Sequence, residues 1–172
     1  MEKLFDLDYE TRSFRPTVEW MAKRYDEANK KLFGGVLGKC DFGVFTTGRG
    51  SRGGINGWFK LTGEGVWRSP INYTSLFVKN TKLNSDNFVE LGKPRIELNG
   101  NKRGSEWAFM VTLVHEMCHY YTYRNGFRPT RPHGKEFKKI ASEIARITDN
   151  QIIVTTHTSP ERSEHFTYEK AK

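Results

Sequence analysis

An α+β fold follows from two observations on the chain. Apolar residues recur at helical spacing in three separate segments, and between the first two of these the pattern changes to alternation of period two. The expected architecture is an N-terminal helix, a small and mainly antiparallel sheet, then two more helices. At 172 residues this is most simply one domain, long enough to close a core without disulfide or metal staples. A hydrophobic content of 36% with 13% aromatic residues separates it from disordered chains.

The first helix is expected in "PTVEWMAKRYDEANKKLFGG", where Val18, Met21, Tyr25, Ala28 and Leu32 form one apolar stripe. Pro16 suits a helix start, Lys30 and Lys31 suit a last turn, and Gly34-Gly35 supply a stop. Three stretches then read as strands: "CDFGVFTT", "GINGWFKL" and "PRIELNG", the last alternating Ile96 and Leu98 with Arg95, Glu97 and Asn99. The glycine-rich "TGRGSRGG" reads as a hairpin connection between the first two. It matches no phosphate-binding loop, because no Lys-Ser/Thr pair opens a helix after it. Residues 62–93 form a long excursion with one further strand expected around "SLFVK". The second helix should open at the capping residue Ser105 and end at Gly126, with Trp107, Met110, Val111, Val114, Cys118 and Tyr121 at helical period. The third should run from about Gly134 to Thr148 with Phe137, Ile140, Ala141, Ile144 and Ile147 inward, and "QIIVTTHT" reads as a short final strand. Residues 1–157 are thus the folded domain and 158–172 a polar, loose tail.

Composition narrows the function classes. Cys40 and Cys118 lie far apart in dissimilar contexts, so no disulfide framework is expected. The N-terminus lacks a signal peptide's apolar run, and no segment reaches the roughly 20 apolar residues of a membrane span. A cytoplasmic or otherwise intracellular protein is the expectation, at the nucleoid or in a nucleus according to its host. A net charge of +8 favours polyanionic partners, by attraction and counterion release. The surplus concentrates in "RNGFRPTRPHGKEFKK", where Arg124, Arg128, Arg131, Lys135, Lys138 and Lys139 face a single acid, Glu136. These six are candidate phosphate contacts, with Phe127 and Trp67 as candidate stacking partners for an exposed base. Arg49 and Arg52 in the glycine turn carry no comparable signal.

The chemistry centres on "TLVHEMCHYYTY". Residues four apart on a helix share a face with Cβ atoms about 6 Å apart, so His115 and His119 can converge on one Zn²⁺. Glu116 projects about 100° around the helix, poorly placed as a ligand but able to serve water held at a metal. The motif sits on a strongly apolar helix, where two unpaired imidazoles would be costly to bury. A catalytic zinc usually takes a third protein ligand and keeps one position open. His133 is the near candidate, after a connection with Gly126, Pro129 and Pro132 that must turn the chain back. A helix-start histidine without a metal is the other reading, and His157 and His165 lie far downstream. Tyr120, Tyr121 and Tyr123 are candidate donors to an oxyanion, against the plainer role of aromatic packing. An extended substrate could add to a strand edge at "GINGWFKL" or "PRIELNG". Cys118 is expected to pack rather than to ligate.

"TLVHEMCH" followed by "PHGKEF" resembles the SprT-like zinc metalloproteases, the group that includes Spartan-like DNA–protein-crosslink proteases. "KKLFGGVL", "INGWFK" and "ITDNQIIVTTHT" resemble further family elements in the same order, so the likeness spans about residues 16–157. It implies a zincin-like domain, His115, His119 and His133 as zinc ligands, Glu116 as catalytic base, and protein substrates associated with or crosslinked to DNA. Many members continue into a C-terminal zinc ribbon. "EHFTYEKAK" resembles its introduction and carries no Cys-x-x-Cys, so the expected contact with DNA is through the basic surface, or a protein partner stands in for the ribbon. The rival readings are a zinc-containing nucleic-acid-binding or regulatory module with little proteolysis, and a zinc hydrolase of a small amide or cell-wall peptide.

Overall fold

The computed structural model describes residues 3–46, 56–62, 93–124, 133–154 and 169–170. Helix α1 spans Val18–Leu32. Thr17 caps it, its hydroxyl oxygen accepting the Trp20 N–H at 3.1 Å. Met21, Tyr25, Ala28 and Leu32 are buried as their spacing requires, but Val18 is 44% exposed because the first turn overhangs the core. The expected stop is observed. Gly34 and Gly35 both take left-handed backbone (φ +63° and +75°), which lets the Gly35 N–H reach the Asn29 carbonyl at 2.8 Å. Asn29 then clamps the outgoing chain, donating to the Leu37 carbonyl and accepting from the Leu37 N–H.

Three strands follow: β1 (Asp41–Phe45), β2 (Gly57–Thr62) and β3 (Lys93–Asn99). Their order is β1-β3-β2, with β1 parallel and β2 antiparallel to β3. The sheet is therefore mixed rather than mainly antiparallel, and the first two strands do not form a hairpin. Alternation tells which residues turn inward; it is silent on which strand lies alongside. Each outer strand sits where a helix receives it: Phe42 of β1 packs edge-on against Tyr25 of α1, and Phe59 of β2 stacks on Tyr120 of the next helix. Ile96, Leu98 and Phe59 are wholly buried.

Helix α2 covers Glu106–Arg124, capped by Ser105, whose Oγ accepts the Ala108 N–H at 3.1 Å. It is buried almost all round, between α1, the sheet and the helix that follows it. Cys118 is wholly buried among core residues. The Gly126 stop lies outside the described residues. Helix α3 (Lys135–Ile147) buries Phe137, Ala141 and Ile144 and half-buries Ile140. Ile147, expected inward, is 37% exposed, since the last turn runs past the core.

The chain leaves α3 through Asp149 and Asn150, both left-handed, a conformation these side chains tolerate. Residues 151–154 form no strand. The Gln151 side chain does what a strand neighbour would do: its Oε1 accepts the Phe5 N–H and its Nε2 donates to the Phe5 carbonyl. The end of "QIIVTTHT", the "SLFVK" segment and the glycine turn with Arg49 and Arg52 lie outside the described residues. Nor is the tail wholly loose. Glu169–Lys170 (β5) pairs antiparallel with Lys102–Arg103 (β4). Such pairing uses backbone groups alone, so a charged sequence gives no sign of it.

Candidate metal centre

Helix α2 places His115 and His119 one turn apart on a common face, with ring centroids 5.1 Å apart. Helix α3 starts at Lys135, and the residue two before it, His133, reaches the same point: its Nε2 lies 3.1 Å from Nε2 of His115. One nitrogen from each of the three imidazoles falls within 4.8 Å of the others. Tetrahedral zinc with Zn–N bonds of about 2.0–2.1 Å holds its nitrogens roughly 3.3 Å apart, so the contact between His115 and His133 has nearly the separation of two ligand atoms. The donor set, three imidazoles, suits zinc.

Electrostatics agrees with that fit. Burial, and after it the proximity of His115 and His133, holds the His119 imidazole well below its usual titration range, so it stays neutral and able to donate a lone pair. Its Nδ1 is buried without a hydrogen-bond partner among the described residues. Imidazoles that bind metal usually have the second nitrogen anchored by a carboxylate or carbonyl. Here packing does the holding, since the ring of Phe137 lies 4.7 Å from that of His119.

Glu116 points the other way around α2, towards β2. It is 6% exposed, and burial pushes its carboxyl up to about 8. A hydrogen bond with the Phe59 backbone amide opposes that rise. The Phe59 amide therefore faces α2 rather than β3. Of the two segments expected to accept an added strand, β3 is paired on both sides, and β2, next to the metal helix, is the outer strand among the described residues. Gly57 makes the close approach possible: a Cβ there would stand 2.9 Å from the Glu97 carbonyl and 3.2 Å from Cγ2 of Thr112, one turn before His115.

The three tyrosines do not gather at this point. Tyr120 is wholly buried, with its hydroxyl against Gly38 in the α1–β1 connection. Tyr121 is half-buried with its ring on Phe33, and Tyr123 is buried against Phe59. Packing accounts for all three. Lys135, Lys138 and Lys139 lie exposed on α3, opposite its buried face. Arg124 is half-buried, its Nε reaching towards the Val36 carbonyl at 3.4 Å. Arg128, Arg131, Phe127, Trp67, His157 and His165 lie outside the described residues. Two participants escaped the sequence reading. Phe137 was legible as an inward residue but not as the neighbour of all three imidazoles. The Phe59 amide is backbone and has no side-chain signature.

The profile of the SprT-like family matches residues 21–157. The chain belongs to that family. Membership carries a zincin-like α+β fold and a general association with metalloprotease-like activity. No curated protein matches the chain. Among the described residues no helix is long and apolar enough to cross a membrane.

Proposed function

We propose that the protein is a zinc-dependent endopeptidase in which His115, His119 and His133 hold the metal and Glu116 is the general base. The convergence of three imidazole nitrogens, with a buried carboxyl on the residue that follows His115 on the same helix, carries this reading. A bound Zn²⁺ supplies Lewis-acid activation of a carbonyl and of water. A Glu116 carboxylate oxygen then takes the proton from the attacking water and returns it to the leaving amine. The cation nearby favours the carboxylate and offsets the burial that otherwise keeps this group neutral. The outer edge of β2 receives the substrate as an added strand, which brings a peptide bond past Glu116.

The substrates proposed are proteins associated with or crosslinked to DNA inside the cell. The net charge of +8 and the exposed Lys135, Lys138 and Lys139, directly after His133, support a DNA contact near the site. Arg124, Arg128 and Arg131 extend the same basic stretch, and a protein partner that helps to hold the substrate belongs to the same proposal. The test is Glu116→Gln, with zinc content measured beside cleavage of a DNA-bound protein. Retained zinc with lost cleavage is the expected result; equal cleavage by both proteins refutes the assigned base. The alternative, a zinc-holding nucleic-acid-binding module, predicts salt-sensitive DNA binding by both proteins and cleavage by neither.

A further inference from the structure

We infer that Phe137 is the positioning residue of the metal centre, an apolar wall that sets the orientation of all three imidazoles and closes one pole of the site. This rests on the reading of the triad as a metal site. The three imidazole centroids stand 5.1, 5.0 and 4.9 Å from one another. The Phe137 centroid stands 5.0, 4.7 and 4.8 Å from those of His115, His119 and His133. The four rings thus occupy the corners of a nearly regular tetrahedron, with Phe137 on the axis equidistant from the three histidines. It is only 1% exposed, whereas His115 and His133 are half-buried, so Phe137 lies on the inner side of the triad and solvent on the other.

Two consequences follow from that placement. The ring denies water and any further protein ligand the inner pole, so a fourth ligand has access from the outer side alone. It also takes over the task that a hydrogen bond performs elsewhere. His119 has no partner for Nδ1 among the described residues, and of these it is the Phe137 ring, 4.7 Å away, that packs against its imidazole to resist rotation. The chain spacing serves the same end. Phe137 follows His133 by four residues, and α3 delivers a ligand and the wall behind it from one short rigid element.

The test uses the full chain, stripped of metal and titrated with Zn²⁺ in competition with a chromophoric chelator, and separately with Co²⁺ followed by visible absorption. Phe137→Leu is expected to bind Zn²⁺ about 10–100-fold more weakly, the range typical of lost supporting contacts. Its Co²⁺ bands should shift and weaken as the ligand geometry loosens. Ile144→Ala, a core truncation two turns further along α3, is the control for destabilisation and should keep wild-type affinity and bands. Phe137→Ala should exceed Phe137→Leu in both effects; if it does not fold, the leucine variant decides. Wild-type affinity and spectrum in Phe137→Leu overturn the inference, as does equal weakening in Ile144→Ala. A wild-type protein that binds neither ion fails at the metal reading itself, and that result is distinct from either.

Discussion

Glu116→Gln should stabilise the metal-free protein, and the gain should grow with pH. The wild-type carboxyl titrates at about 8 when folded, raised first by burial and opposed by the Phe59 amide, against an ordinary value of 4.5. A raised carboxyl pKa means that the folded state holds the proton more tightly than the unfolded chain. The stability this group contributes is complete below pH 4.5 and is lost as pH rises through about 8. Glutamine has the shape of the protonated acid, can still accept the Phe59 N–H, and does not titrate. At 1.36 kcal/mol per pKa unit, the advantage of the variant is about 3 kcal/mol at pH 7 and about 1 kcal/mol at pH 5. For a domain of this size, 3 kcal/mol corresponds to about 6–12 °C in Tm. The neutral His119 acts with the opposite sign, weakening the fold as pH falls below 6.5, but it is present in both proteins and cancels in the comparison. The assay is urea denaturation of both proteins in chelator across pH 5–8, repeated with Zn²⁺, which favours the carboxylate and narrows the gap. A difference that does not change with pH, or a wild type more stable at pH 8 in chelator, refutes the account of Glu116.

Gly57→Val should cost about 1–3 kcal/mol by overpacking, because the new side chain meets the Glu97 carbonyl, Leu98 and Thr112 at once; thermal denaturation reads it. Gln151→Leu should cost about 1–3 kcal/mol by leaving the Phe5 N–H and carbonyl unpaired, with faster amide exchange at Phe5 as the specific sign. Replacing Lys135, Lys138 and Lys139 together by Gln should leave the melting temperature unchanged. It should flatten the dependence of log Kd for duplex DNA on log salt by about 0.9 for each lysine that meets a phosphate, and an unchanged slope removes α3 from the interface.

Helical period located all three helices, and to within a residue or two at the ends that lie among the described residues, because one buried stripe repeated over several turns is a redundant signal. It misplaced only the ends, Val18 and Ile147, where a stripe continues in sequence after the core has stopped in space. Strands were legible as strands, but their order was not. Burial alternation in β3 is the same whether its neighbours are parallel or antiparallel, and the short β4–β5 pairing rests on backbone groups that any residues possess. At the site, "HEMCH" and "PHGKEF" marked the side chains that meet. Phe137 looked like any inward aromatic, because its period says which way it faces and not what it faces. The bond between Phe59 and Glu116 joins a backbone amide to a residue 57 positions away, so no local pattern could announce it.

The burial of α2 explains why a metal belongs in this account of stability as well as in the chemistry. A helix enclosed on nearly every side ordinarily carries apolar residues throughout, and between its charged ends, Glu106 and Arg124, this one does apart from His115, Glu116, His119 and two threonines that bond to its own carbonyls. Without a cation, the carboxyl is driven to hold its proton and the His119 imidazole to give its proton up, so both groups are buried in forms that burial alone selects. Among the described residues Nδ1 of His119 has no hydrogen-bond partner, and two ring nitrogens of His115 and His133 face each other at 3.1 Å. Hydrogen bonding can satisfy only one of those two imidazoles as donor, whereas a divalent ion accepts a lone pair from all three at once. The same ion restores the charge of Glu116 by attraction. A bound divalent ion would thus favour the charged form of Glu116 and draw the three imidazoles to one point, coupling folding of this region to occupancy of the site, while Nδ1 of His119 would still depend on packing.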